Sequence, residues 1–230
     1  MKILIVLTSN NLLGSNSKLE TNGKTGFWIE EFATPYYIFQ EAGAEIVLAS
    51  PKGGQPPVDP KSELPENQTK ATIRYKSDET LLKLMSNSVK LETVSETDFD
   101  AIFYPGGHGL LWDLTTDKDS IALIESFWNA GKPVATVCHS PAVLLHAKDS
   151  DGNYIVKDRK VTGFSNSEER EVKLTDIVPF LLEDELKKCG AKYHNINDWT
   201  SFAISDGLLI TGQNPQSSEA VAKKLIDMLK

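Results

Sequence analysis

Short continuous apolar runs alternate along the chain with stretches in which apolar residues return every three or four positions. The runs predict buried strands over Lys2 to Leu7, Glu45 to Ala49, Ala101 to Tyr104, Pro133 to Val137, Lys160 to Gly163 and Leu208 to Thr211. The intervening spacing predicts amphipathic helices. Trp28, Phe32, Tyr36 and Phe39 line one face, and Ile121, Ile124 and Trp128 a second. Leu181, Leu182 and Leu186 mark a third, and Val221, Leu225, Ile226 and Leu229 the last. Strands that are apolar on both faces belong to parallel sheets covered on both sides. Regular β-α alternation therefore predicts an α/β fold, a doubly wound, mostly parallel sheet sandwiched by helices, with right-handed crossovers.

Two polar stretches interrupt the alternation. Residues 51–75 hold Pro51, Pro56, Pro57, Pro60 and Pro65 among polar neighbours and are predicted as loop. Ser9 to Thr25 follows the first strand, at the sheet edge where ligand sites gather. With 230 residues, one domain spanning 1–230 is expected. A formal net charge of -8 disfavours nucleic acid and anionic lipid as partners, since neither finds a basic surface to grip. No apolar run is long enough to cross a membrane, and the first residues read as a strand rather than a signal peptide. Two cysteines, Cys138 and Cys189, are too few for a disulfide framework, so a reducing compartment, the cytoplasm, is expected.

Cys138 ends an apolar strand, and Pro141 suits the first turn of a helix beginning there. A thiol at that edge, near a helix N-terminus, is expected to favour the thiolate, on a turn that lifts the sulfur off the sheet. An isolated cysteine is more often a small buried hydrophobe, and the surrounding motif is what argues for a nucleophile. His139 is adjacent; its imidazole can act as base and then acid, or simply bond a loop carbonyl. Gly106 and Gly107 follow another strand at the same edge, where their amides, with the one after the nucleophile, could stabilise an oxyanion. An ordinary glycine turn would look the same. Glu30 opens the first helix, where the macrodipole alone explains an acid, yet helical geometry sets it near Phe27 and Tyr37. A carboxyl beside a thiol would be partly protonated and could donate to sulfur. No G-x-G-x-x-G or P-loop pattern occurs, so nucleotide binding is disfavoured. The four histidines (108, 139, 146 and 194) show no metal-ligand spacing along the chain, so no metal is expected. Cys189, before Gly190 at a helix end, reads as structural.

Together, Gly26-x-x-x-Glu30, Pro105-Gly-Gly-His-Gly109, Val137-Cys-His-x-Pro141 and the closing Thr211-Gly-Gln-Asn-Pro215 resemble the ThiJ/PfpI superfamily, whose flavodoxin-like core is shared with class I glutamine amidotransferases. The 51–75 stretch and Thr162-Gly-Phe-Ser-Asn-Ser-Glu-Glu169 resemble its heat-shock branch, described as glyoxalase III and as holding chaperones. That resemblance implies conversion of methylglyoxal to D-lactate without glutathione, metal or other cofactor. Cys138 would attack the aldehyde, His139 would move protons, Glu30 would tune the sulfur, and Glu169 or its neighbour Glu168 would orient His139. The Glu168 to Glu171 run would equally suit a solvated, charge-rich helix start. Ser140 stands where many relatives have glycine, which suggests a narrower pocket or an added hydroxyl. The resemblance also implies a homodimer. Alternatives are a deglycase or amidohydrolase using the same thiol, and a redox-sensitive chaperone. An amidotransferase subunit is disfavoured, because no His-x-Glu pair follows Cys138.

Overall fold

A computed structural model describes residues 1–14 and 23–230. The central segment of the polar stretch Ser9 to Thr25 thus lies outside the described residues. Among the described residues nine strands form: β1 (Lys2–Val6), β2 (Glu45–Ser50), β3 (Val89–Lys90), β4 (Ala101–Tyr104), β5 (Val134–Val137), β6 (Lys160–Val161), β7 (Lys192–Tyr193), β8 (Ala203–Asp206) and β9 (Leu209–Gly212). The α-helices that accompany them are α1 (Ile29–Glu41), α2 (Lys70–Ser77), α3 (Glu79–Met85), α4 (Lys118–Asn129), α5 (Asn166–Glu171), α6 (Leu182–Lys188) and α7 (Ser218–Met228).

The main sheet has the order β3-β2-β1-β4-β5-β9-β8. Its pairings are parallel except β8 with β9, which is antiparallel. Every residue of β4, β5 and β9 is buried, as continuous apolar strands covered on both faces should be. α1 packs on α7 and α2, α7 on β5, β8 and β9, and α4 on β4 and β5. Phe39 of α1 meets Phe103 of β4 edge to face, with centroids 5.5 Å apart. A fully buried side chain of this size contributes about 1.5–3 kcal/mol by leaving water, so the central strands and their helices anchor the loops beyond them.

Three expectations change in detail. The run at Lys160 to Gly163 is a two-residue strand, β6, which pairs with β7 in a separate small sheet. Thr162 and Gly163 leave it, and the amide of Thr162 donates instead to Thr211 Oγ1 at 2.9 Å. The stretch 51–75 is not loop throughout. Two 3-10 turns occupy Pro60–Glu63 and Pro65–Asn67, and α2 begins at Lys70 behind a Thr69–Thr72 capping box. The segment after Cys138 is a five-residue 3-10 turn, Ser140–Leu144, rather than an α-helix.

The chain leaves β4 at Pro105 and β5 at Cys138, at the carboxyl edge of adjacent parallel strands. Open α/β sheets bind ligands at that edge.

Candidate active site

Cys138 sits between β5 and the 3-10 turn with φ of 63°, one of four non-glycine residues with positive φ among those described. This region costs a side-chain-bearing residue about 1–2 kcal/mol, so the surroundings must impose it. They do so from both sides. The Cys138 amide donates to Gly212 O at 2.9 Å, and Phe164 N donates to Cys138 O at 2.8 Å. The sulfur thereby sits, buried, at a sharp strand-to-turn corner.

His139 Nδ1 lies 3.4 Å from the sulfur. Its Nε2 is 2.7 Å from one oxygen of Glu169, whose other oxygen is 2.9 Å from His108 Nε2. The two imidazoles are tilted 42° with centroids 4.0 Å apart, and Phe164 covers the far side of His139 at 4.3 Å. Burial alone would raise the Glu169 carboxyl, but His139 and His108 together hold it well below the usual range. A carboxylate can only accept, so both rings must carry their proton on Nε2. His139 Nδ1 then keeps a free lone pair facing the thiol. Burial, and next the neighbouring His108, lower His139 to about 4 against the pull of Glu169, so the resting ring is neutral.

On the other side of the sulfur lies an acid. The buried carboxyl of Glu31 lies beside the thiol. Its Oε2 accepts the Gly106 N–H at 2.8 Å, while Oε1 has no hydrogen-bond partner among the described residues. Burial raises Glu31 to about 8, so at neutral pH it carries a proton that it can donate to sulfur. Gly106 is required here, because a Cβ would fall 2.5 Å from Glu31 Oε2 and 2.6 Å from Val137 O. Gly107, at φ of 97°, aims its amide at the sulfur.

Family comparison falls on the same elements. Residues 24–228 match the model of the DJ-1/PfpI family. The chain belongs to the DJ-1/PfpI family. The solved structure of Rapid Encystment Protein 24 KDa from Francisella tularensis is 37% identical with a TM-score of 0.92, over 100% of this chain and 99% of that one. Glyoxalase III from Candida albicans is 30% identical with a TM-score of 0.89, over 99% of this chain and 96% of its own. Among curated proteins, the glutathione-independent glyoxalase HSP31 of Saccharomyces cerevisiae is 29% identical, over 100% of this chain and 98% of that protein.

Within this DJ-1/PfpI site, several expectations need correction. Glu30 does not face the thiol. Its oxygens accept from Thr34 Oγ1 at 2.7 Å and from Thr69 Oγ1, and half-burial raises its carboxyl despite both bonds. Successive helical residues point about 100° apart, so only one of the two acids can reach the sulfur, and it is Glu31. Gly106 cannot donate to an oxyanion while its amide serves Glu31. Nor is the thiol poised as a thiolate. Burial, then the Glu31 and Glu168 carboxyls, push Cys138 well above the ordinary thiol range, against the Gly107 amide. The short 3-10 turn does not offset that burial.

Of the two candidate acids after Phe164, Glu169 reaches His139. Glu168 instead accepts from Trp199 N (3.0 Å), Gln213 Nε2 (3.2 Å) and Asn214 Nδ2 (2.8 Å) with Oε1, and from Ser165 N (3.0 Å) with Oε2. It ties the closing motif to the start of α5. Ser140 adds no hydroxyl to the pocket. Its Oγ accepts from Val137 N at 2.6 Å and is shared between the carbonyls of Tyr104 and Val137, fastening the ends of β4 and β5. His108 is the residue that the sequence left without a role. No helix among the described residues is long and apolar enough to cross a membrane. The ligand atoms of His108, His139 and Glu169 lie within 4.8 Å of one another, so histidines that lack metal spacing along the chain converge in space.

The raised Glu31 carboxyl sets a pH dependence of stability. The native protein holds a proton that the unfolded chain loses above about 4.5, so Glu31 lowers stability as pH climbs toward about 8. His139 acts oppositely. Its folded value of about 4 lies below the ordinary imidazole value of 6.5, so its cost to stability grows as pH falls from 6.5 to 4. Between 6.5 and 8, Glu31 acts without this offset. Denaturant unfolding under reducing conditions should therefore show stability falling by up to about 1.4 kcal/mol per pH unit there. Glu31→Gln should flatten the slope and Glu30→Gln should keep it. An unchanged slope in Glu31→Gln would mean that its carboxyl is already ionised at neutral pH.

Proposed function

We propose that this protein is a cofactor-independent glyoxalase that converts methylglyoxal to lactate, assigned as the D isomer, through Cys138. One observation carries the reading: the sulfur lies between the Glu31 carboxyl and an imidazole nitrogen that Glu169 keeps unprotonated. The activities named for the Candida and Saccharomyces relatives supply the substrate class.

The resting site holds thiol, neutral His139, protonated Glu31 and ionised Glu169, a combination that does not require a buried thiolate before substrate arrives. The sulfur adds to the aldehyde carbon, and the thiol proton passes through His139 Nδ1 to the carbonyl oxygen, giving a hemithioacetal. The Gly107 N–H and the amide of His139 are the donors for the developing oxyanion. His139 then takes the proton from the former aldehyde carbon, giving an enediol once the ketone oxygen is protonated, and returns a proton to the second carbon. The hemithioacetal carbon ends as a thioester as its hydroxyl proton leaves. Water releases lactate and restores the thiol. No electrons leave the substrate; one carbon is oxidised while its neighbour is reduced.

The test follows methylglyoxal loss and D-lactate formation with glutathione omitted. Fully reduced wild-type protein that makes no lactate would rule the reading out.

A cleft of about 340 Å³ favours a second reading. Trp28, Glu30, Thr69 and Trp199 are among its lining residues. It adjoins the thiol site, because Trp28 N donates to Gly106 O and Trp199 packs on Phe164. Space there would suit a methylglyoxal adduct on a larger molecule, making the protein a deglycase. Turnover of preformed adducts in parallel with the free aldehyde separates the two. Release from adducts no faster than their spontaneous decay removes the second reading.

A further inference from the structure

We propose that His108, His139 and Glu169 form a binding site for a divalent transition-metal ion, and that its occupancy switches the thiol chemistry off. Two imidazoles and a carboxylate are a donor set that Zn²⁺ and similar ions accept. All three residues are buried, and their ligand atoms lie within 4.8 Å of one another. Each is held independently: His108 after the fixed turn at Gly107, His139 on the strained corner, and Glu169 in the capped first turn of α5. Access is from the His108 side, since His108 is 8% exposed against 3% for Glu169 and 1% for His139.

The carboxylate now stands 2.9 and 2.7 Å from the two Nε2 atoms. Donors on a tetrahedral ion at bond lengths near 2.0–2.1 Å lie roughly 3.3 Å apart. Binding therefore opens these two contacts by a few tenths of an ångström. It leaves a fourth position for water.

Binding also changes which nitrogen carries the proton. The ion needs both Nε2 lone pairs, so each ring's proton moves to Nδ1 and none need leave the site. Nδ1 of His139 then donates toward the sulfur and can no longer take the thiol proton. The ion does not assist the reaction; it removes the base. Because the sulfur lies beside Nδ1, on the far side of the ring from the ion, Cys138 is not a ligand.

The test strips full-length protein with EDTA and titrates it with Co²⁺, read by visible ligand-field absorption, and with Zn²⁺, read by calorimetry. Wild type and Cys138→Ser are expected to bind one equivalent. His108→Gln and Glu169→Gln should each bind at least tenfold more weakly, with folding checked by circular dichroism. Loss of binding in Cys138→Ser with retention in His108→Gln would overturn the proposal, as would no binding by wild type at micromolar Zn²⁺. Only the inhibition rests on the glyoxalase reading, and it is expected to reverse with EDTA. If wild type shows no turnover, that reading fails while metal binding still decides the site.

Discussion

Cys138→Ser is expected to reduce methylglyoxal turnover by at least about 10⁴-fold while leaving the fold intact. A hydroxyl can occupy the position, and the backbone bonds to Gly212 and Phe164 do not involve the side chain. Serine, however, is a far weaker nucleophile than sulfur, and its hydroxyl gives up a proton to the same His139 base much less readily than the thiol does. Melting temperature and near-ultraviolet dichroism of the variant, compared with turnover, separate chemistry from structure. A correctly folded Cys138→Ser protein with more than a few per cent of wild-type kcat/KM would mean that another group performs the addition.

Glu169→Gln is expected to lower kcat by about 10²–10⁴-fold with little change in size or packing. The amide offers one accepting oxygen where the carboxylate offers two. One imidazole then faces an NH₂ group and must turn its lone pair on Nε2 toward it. If that ring is His139, its proton moves to Nδ1 and the base facing the thiol is lost. The neighbouring change, Glu168→Gln, should behave differently. Glu168 accepts from Trp199, Gln213, Asn214 and Ser165 at the close of the fold, so its replacement should cost stability, on the order of 1–3 kcal/mol. Thermal unfolding and kcat measured on both variants form the check. Wild-type kcat in Glu169→Gln would show that the carboxylate does not set the tautomer of His139.

The fold and the thiol corner were legible because their signals are local. Continuous apolar strands mark a covered parallel sheet, and a cysteine followed by His-x-Pro after one of them marks the corner. What misled was the choice between adjacent residues. Ile29, Glu31, Phe32, Ala33, Pro35, Tyr36, Tyr37 and Phe39 are all buried in α1. A helix buried on most sides has no clear solvated face, and its periodicity cannot say which of Glu30 and Glu31 turns inward. The same ambiguity held at Glu168 and Glu169, where both acids are buried and only their partners tell them apart. His108 stayed hidden for another reason. Its importance arises from a carboxylate 61 positions away, a contact that no local spacing encodes. The two-residue strands β3 and β7 are too short for any alternation to appear, and β8 is only partly buried. The ionisation of the thiol required knowing how deeply it is buried.

The left-handed corner at residue 138 has a cost that the chemistry conceals. Glycine would hold the same backbone about 1 kcal/mol more comfortably than alanine, because it has no Cβ to crowd the carbonyl. Measured side by side, Cys138→Gly should therefore outlast Cys138→Ala in heat, although neither has a nucleophile. The left-handed residue that follows β5 is thus one the polypeptide would relax if robustness alone were selected. Reactivity and durability pull in opposite directions at that single position.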